Sequence, residues 1–215
     1  MMKKKMSLLL GGMLIALSAN ASITGHTSGV TVLADPTGYN VGHPGDENSN
    51  IIVFEEKYSL KLTNDLTTDT GTISAGSYIG SYFVHFNPPG ASGSSGFQQI
   101  SFSDQILGII YRTSTLNSTD SLLGHSGVTT YPTETYAWRG LETSDSDGYS
   151  FLNATSAEFL NVTNNGIDQM RIITAAPAPV PLPAAVWMFG AGIIGLAGFA
   201  RRSMKGASGG IASTA

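Results

Sequence analysis

Ser77-Tyr-Ile-Gly-Ser-Tyr-Phe-Val-His-Phe86, closed by Asn87-Pro-Pro-Gly90, is the stretch whose reading decides the fold. Its aromatic and β-branched side chains suit a pleated, largely buried surface better than a helix. Pro88 and Pro89 can continue neither a helix nor a ladder, so the run stops there. Upstream, Ile51 to Thr63 ends in apolar/polar alternation through Tyr58, Leu60 and Leu62, the period of a strand with one buried face. Shorter runs of the same kind cover Gly29 to Leu33, Phe97 to Phe102, Ile106 to Tyr111, Gly127 to Tyr131, Tyr149 to Leu152, Ala157 to Val162 and Ile167 to Thr174, with Gly, Ser, Asn and Asp clusters between them. No segment of this body carries a 3.6-residue apolar period over three turns, so the sequence predicts no helix there. Many short strands at regular spacing predict an all-β domain over residues 22–175, an antiparallel β-sandwich of jelly-roll-like kind.

The net charge of −4 conceals a division along the chain. All 15 acidic residues lie between Asp35 and Asp168, whereas the body holds only Lys57, Lys61, Arg112, Arg139 and Arg171 as cations. Five against fifteen leaves a strongly acidic surface, which repels phosphate backbones and argues against a nucleic-acid partner. Cysteine is absent, which excludes disulfides, thiolate metal sites and a cysteine nucleophile.

Candidate chemistry inside the body is sparse. His26, His43, His85 and His125 form no metal-ligand pattern, and His85 falls within the aromatic strand, where a hydrogen-bonded ring competes with a ligand or base. Glu55 and Glu56 are neighbours on a strand and so point to opposite faces, unable to act together on one substrate. Asp145-Ser-Asp-Gly148 opens like a calcium loop but lacks the later ligands and the bidentate glutamate. Asn117, Asn153 and Asn161 head glycosylation-type triplets and read as surface strands and turns. Tyr78, Tyr82, Tyr131, Tyr136 and Trp138 alternate with polar residues, as core or cross-strand pairs do and as sugar-stacking residues do. Gly190-Ala-Gly-Ile-Ile-Gly195 spells a dinucleotide fingerprint, but no acidic residue follows it. Gly206-Ala-Ser-Gly-Gly210 spells a nucleophile elbow in a short polar tail, without a sheet to raise the serine. No catalytic residue, metal or cofactor is expected.

The two ends have a different character. Lys3, Lys4 and Lys5 precede an apolar run from Met6 to Leu17, and Ala19-Asn-Ala21 supplies the small-x-small site of a signal peptidase. Residues 1–21 therefore read as a signal peptide, with Ala19 and Ala21 at the cut and the Sec translocon as carrier. At the other end, residues 176–183 form a proline-rich linker and residues 184–200 an uncharged, proline-free run. As a helix that run reaches roughly 25 Å, enough for a short transmembrane span. Arg201 and Arg202 open a basic tail over residues 201–215, which stays cytoplasmic and stops transfer through the inner membrane.

Val180-Pro-Leu-Pro-Ala184, the apolar run and Arg201-Arg202, in that order, resemble the PEP-CTERM sorting signal in its VPLPA variant. That resemblance implies an exported Gram-negative protein whose motif, Val180, Pro181, Leu182, Pro183 and Ala184, is read and cut by a membrane-embedded exosortase. Pro181 and Pro183 keep Val180 and Leu182 extended, as a protease substrate must be. The family expectation is a non-enzymatic protein, anchored in transit and then at the cell surface or secreted, structural or adhesive in exopolysaccharide and biofilm. The alternative is a carbohydrate-binding β-sandwich module.

Overall fold

The computed structural model describes residues 22–42, 44–132, 138–141, 146–164 and 166–179. The signal-peptide residues, the stretch from Val180 to Ala215, Tyr136 and Asp145 lie outside that set. In chain order the body consists of β1 (Ile23–His26), β2 (Val30–Leu33), β3 (Asn48–Lys61), β4 (Leu66–Thr68), β5 (Gly71–Ile73), β6 (Tyr78–Asn87), β7 (Ser92–Ser94), β8 (Gln98–Phe102) and β9 (Ile106–Ile110). One helix follows, α1 (Thr113–Leu123), and then β10 (Gly148–Asn153), β11 (Ser156–Leu160), β12 (Val162–Asn164) and β13 (Asp168–Ala175).

The organising stretch is the middle strand of a five-stranded sheet ordered β2-β3-β6-β13-β9. From Ile79 to Asn87 every residue of β6 is buried, because the sheet is covered on both sides. Tyr82, Val84 and Phe86, with Met170 and Ile172 of β13, face one hydrophobic cluster. Ile79 and Phe83, with Ile173, face another. The first cluster also contains Ile100 and Phe102 of β8 and Ala157 and Phe159 of β11, which belong to a four-stranded sheet ordered β1-β8-β11-β10. The second contains Leu116 and Leu123 of α1 and Val41, Leu66 and Ile73. Fully burying an Ile or Phe contributes about 1.5–3 kcal/mol, so these two clusters dominate the stability.

The body is mostly β, as expected, with three corrections. The helix α1 was not foreseen: only Leu116 and Leu123 mark its inward face with apolar residues, while Thr119 completes that face and Leu122 is exposed. Its first turn is held from outside, since Asp69 accepts from the Tyr111 and Arg112 N–H groups and from the Thr115 hydroxyl. The sheets are not purely antiparallel, because β2 runs parallel to β3. Gly127 to Tyr131 is not a strand; it forms a single bridge, Thr130 with Asn40, and its Tyr131 reaches inward to the network described next.

Candidate functional site

Polar side chains enter the interior on the face of the five-stranded sheet that carries α1. Arg171 of β13 and Arg139, from the segment 138–141, are both fully buried. A guanidinium has five N–H donors, and each of those on Arg171 has a partner. Nε donates to Glu56 Oε2 at 2.7 Å, and Nη2 donates to Glu56 Oε1 at 2.9 Å and Asp120 Oδ1 at 2.6 Å. Nη1 donates to the Leu116 carbonyl at 3.0 Å and to Thr119 Oγ1 at 3.1 Å. Glu56 also accepts from the Ser81 and Tyr131 hydroxyls, both at 2.8 Å. Arg139 closes the array with bonds to Asp120, Asn117 and Gln169. Both guanidiniums lie over the Phe83 and Tyr131 rings, Arg171 at 5.0 Å from the Phe83 centroid, a favourable cation–π placement.

The electrostatics follow from this pairing. Burial opposes the charge of Arg171, but the Glu56 and Asp120 carboxylates outweigh it and hold its pKa above the ordinary guanidinium value. Burial first, and then the Glu56 charge, pushes the Tyr131 phenol up. His85 is fully buried; desolvation and then the Arg139 charge push its pKa down to about 3. The ring is therefore neutral at physiological pH, with Nδ1 beside the Gln169 amide at 3.0 Å. That amide nitrogen also donates to the Val41 carbonyl, so the imidazole locks a core polar chain. The His85 side chain has no exposure to solvent. Chemically the array is a clamp: it fastens α1 and the segment 138–141 to β3, β6 and β13.

A second arrangement lies on the outer face of the four-stranded sheet. There Gln99, Glu158 and Ser150 stand side by side in register across β8, β11 and β10, and Gln99 Nε2 donates to Glu158 Oε2 at 2.9 Å. Beside them lies a shallow groove of about 170 Å³ whose lining includes Phe97, Ser146, Gly148, Ser150, Glu158 and Leu160. Phe97 is 68% exposed.

The ends of the body are also fastened. The Ser22 N–H donates to Ser103 Oγ, and the Ser103 N–H returns a bond to the Ser22 carbonyl, both at 3.0 Å. At the far end the Ala176 N–H donates to the Tyr78 carbonyl, and the Ser59 hydroxyl donates to the Pro177 carbonyl at 2.7 Å. The compact unit that contains all the strands ends at Ala178.

The sequence-derived candidates separate accordingly. Ala19, Ala21, Val180, Pro181, Leu182, Pro183, Ala184, Arg201 and Arg202 lie outside the described residues, as does the expected span over 184–200. Among the described residues no helix is long and apolar enough to cross a membrane. Glu55 and Glu56 do part: Glu55 meets Tyr82 on one face while Glu56 meets Ser81 and Arg171 on the other. Asp147 accepts from the Val162 N–H, the task of a turn residue. Asn153 is exposed, whereas Asn161 is buried and Asn117 binds Arg139, so two of the three triplet asparagines are not free surface sites. Of the aromatic candidates, Tyr82 and Tyr131 belong to the interior, Tyr78 pairs with Lys61, and Trp138 is 64% exposed. The arginine clamp was missed because two lone arginines far apart in sequence give no local signal, and Phe97 because a single Phe at a strand start reads as core. No family model, no curated protein and no solved structure matches this chain.

Proposed function

We propose that the chain is an exported, non-enzymatic protein of a Gram-negative envelope, processed by an exosortase at its C-terminal signal. The Sec translocon and signal peptidase deliver it, the inner membrane holds it in transit, and it acts at the cell surface or in the extracellular matrix. The role is structural or adhesive within exopolysaccharide and biofilm. The observation that carries this reading is the order Val180-Pro-Leu-Pro-Ala184, an uncharged run, then Arg201-Arg202.

Three features of the body support it. Ser22, the residue after the Ala19-Asn-Ala21 site, pairs with Ser103 through both its N–H and its carbonyl, so the residue that would open the mature chain is tied into the body. The chain is still fastened at Pro177 through the Ser59 hydroxyl, three residues before the motif in sequence. The buried carboxylate of Glu56 is saturated by Arg171 and two hydroxyls, a structural rather than an acid–base arrangement. The body itself is a β-sandwich, a reading supported by the cluster that both large sheets share, with α1 as a third layer. Replacing Pro181 and Pro183 together by alanine in the native host tests the proposal: it predicts accumulation of an unprocessed, membrane-bound chain, and normal processing of that variant refutes it.

A second reading, a carbohydrate-binding module, is favoured by one observation. Phe97 and Trp138 present aromatic rings to solvent at 68% and 64% exposure, where core packing gives them no role.

A further inference from the structure

The outer face of the four-stranded sheet sets an exposed aromatic ring beside a row of polar side chains. We propose that the groove beside Phe97 is a binding site for a neutral glycan, with Phe97 as stacking platform and Gln99, Glu158 and Ser150 as its polar row. The inference rests on the carbohydrate-binding reading and gives it a place.

The geometry comes from the ladder. Glu158 is the register partner of Gln99 on one side and of Ser150 on the other, and adjacent strands lie about 4.8 Å apart. The row thus presents an amide, a carboxylate and a hydroxyl across roughly 10 Å, a mixed donor and acceptor set matched to sugar hydroxyls. The Gln99 amide nitrogen donates to Glu158 Oε2, which positions the carboxylate of a residue that lines the groove. Phe97 lies two residues before Gln99 on the same side of the chain, flanking the row, and gives a flat apolar surface for a ring face. Gly148 keeps the floor open, since a Cβ there would meet nothing within 4 Å. At the rim Ser146 holds φ at 73°, an unusual and costly conformation for a residue other than glycine.

Charge selects the class of ligand. The groove lining contains Glu158 and no cation, while the body's five Lys and Arg lie on β3, beside α1, or buried within the clamp. Phosphorylated or carboxylated chains would meet an acidic surface without a counter-charge. A protein partner is disfavoured because a groove of about 170 Å³ is small for a stable interface.

The test is affinity electrophoresis of the full chain, kept soluble in a polyoxyethylene detergent, through gels containing dextran, galactomannan, arabinoxylan or mixed-linkage β-glucan, with alginate as the anionic arm. At least one neutral polysaccharide should retard the protein and alginate should not. Phe97→Ala should weaken retardation about tenfold and Glu158→Gln should weaken it too, both with unchanged melting temperature. Leu122→Ala, an exposed residue on α1, should bind as wild type. Retardation that survives Phe97→Ala but is lost in Trp138→Ala overturns this site while leaving the carbohydrate-binding reading standing. Absence of retardation by every neutral polysaccharide, or retardation by alginate alone, overturns both.

Discussion

Arg171→Met is the substitution that probes the fold most sharply. The wild-type guanidinium has all five N–H groups bonded inside the protein, two of them to Glu56. Methionine fills most of the volume but leaves the Glu56 carboxylate, whose side chain has no solvent exposure, with only the Ser81 and Tyr131 hydroxyls. Removing one partner of a buried pair costs about 3–5 kcal/mol, most of it from the charge left behind. For a body of this size each kcal/mol corresponds to roughly 2–4 °C in Tm, so a fall of about 12 °C is expected. Far-UV circular dichroism during urea and thermal unfolding measures it. Removing both charges together, in Glu56→Leu with Arg171→Met, eliminates the uncompensated carboxylate and should cost less than Arg171→Met alone. A single variant within about 1 kcal/mol of wild type, or a double variant whose loss equals the sum of the singles, would refute the clamp.

Two further perturbations follow from named contacts. His85 is neutral in the folded state down to about pH 3 but protonates near its ordinary value of 6.5 when unfolded. Between those values the unfolded chain holds the extra proton, so stability falls as pH drops through this window, by about 1.4 kcal/mol per pH unit. His85→Gln should remove that increment from the slope, as read by urea midpoints at pH 4 to 7; an unchanged slope would show that the ring is not held neutral. Asp69→Ala strips the first turn of α1 of three bonds and should cost about 2 kcal/mol. Amide exchange in that turn should accelerate, and exchange at the wild-type rate would mean that Asp69 does not anchor the helix.

How much of this was legible in the sequence depended on how far apart the interacting residues lie. The stretch around Tyr82 and Phe83 announced itself because a buried central strand is apolar on both faces. Strands such as β4, β5, β7 and β12 are three residues long, too short for any period to show. The helix escaped notice because its inward face uses Thr119 and Asp120 to meet Arg171, replacing the apolar spacing that marks a helix with polar chemistry. That chemistry is set by side chains more than fifty positions apart along the chain. The reach of Phe97 into solvent was equally invisible, since exposure is decided by what packs above a strand rather than by the strand itself. By contrast the terminal stretches proposed as signals are contiguous in sequence, so their reading rests on the sequence alone.

Intact-mass measurement of the protein recovered from its own host tests the central claim most directly. The account predicts a chain that begins at Ser22 and has lost the apolar run beyond the Val180–Ala184 motif. Recovery of the complete 22.4 kDa polypeptide, with Met1 and Ala215 both in place, would contradict it.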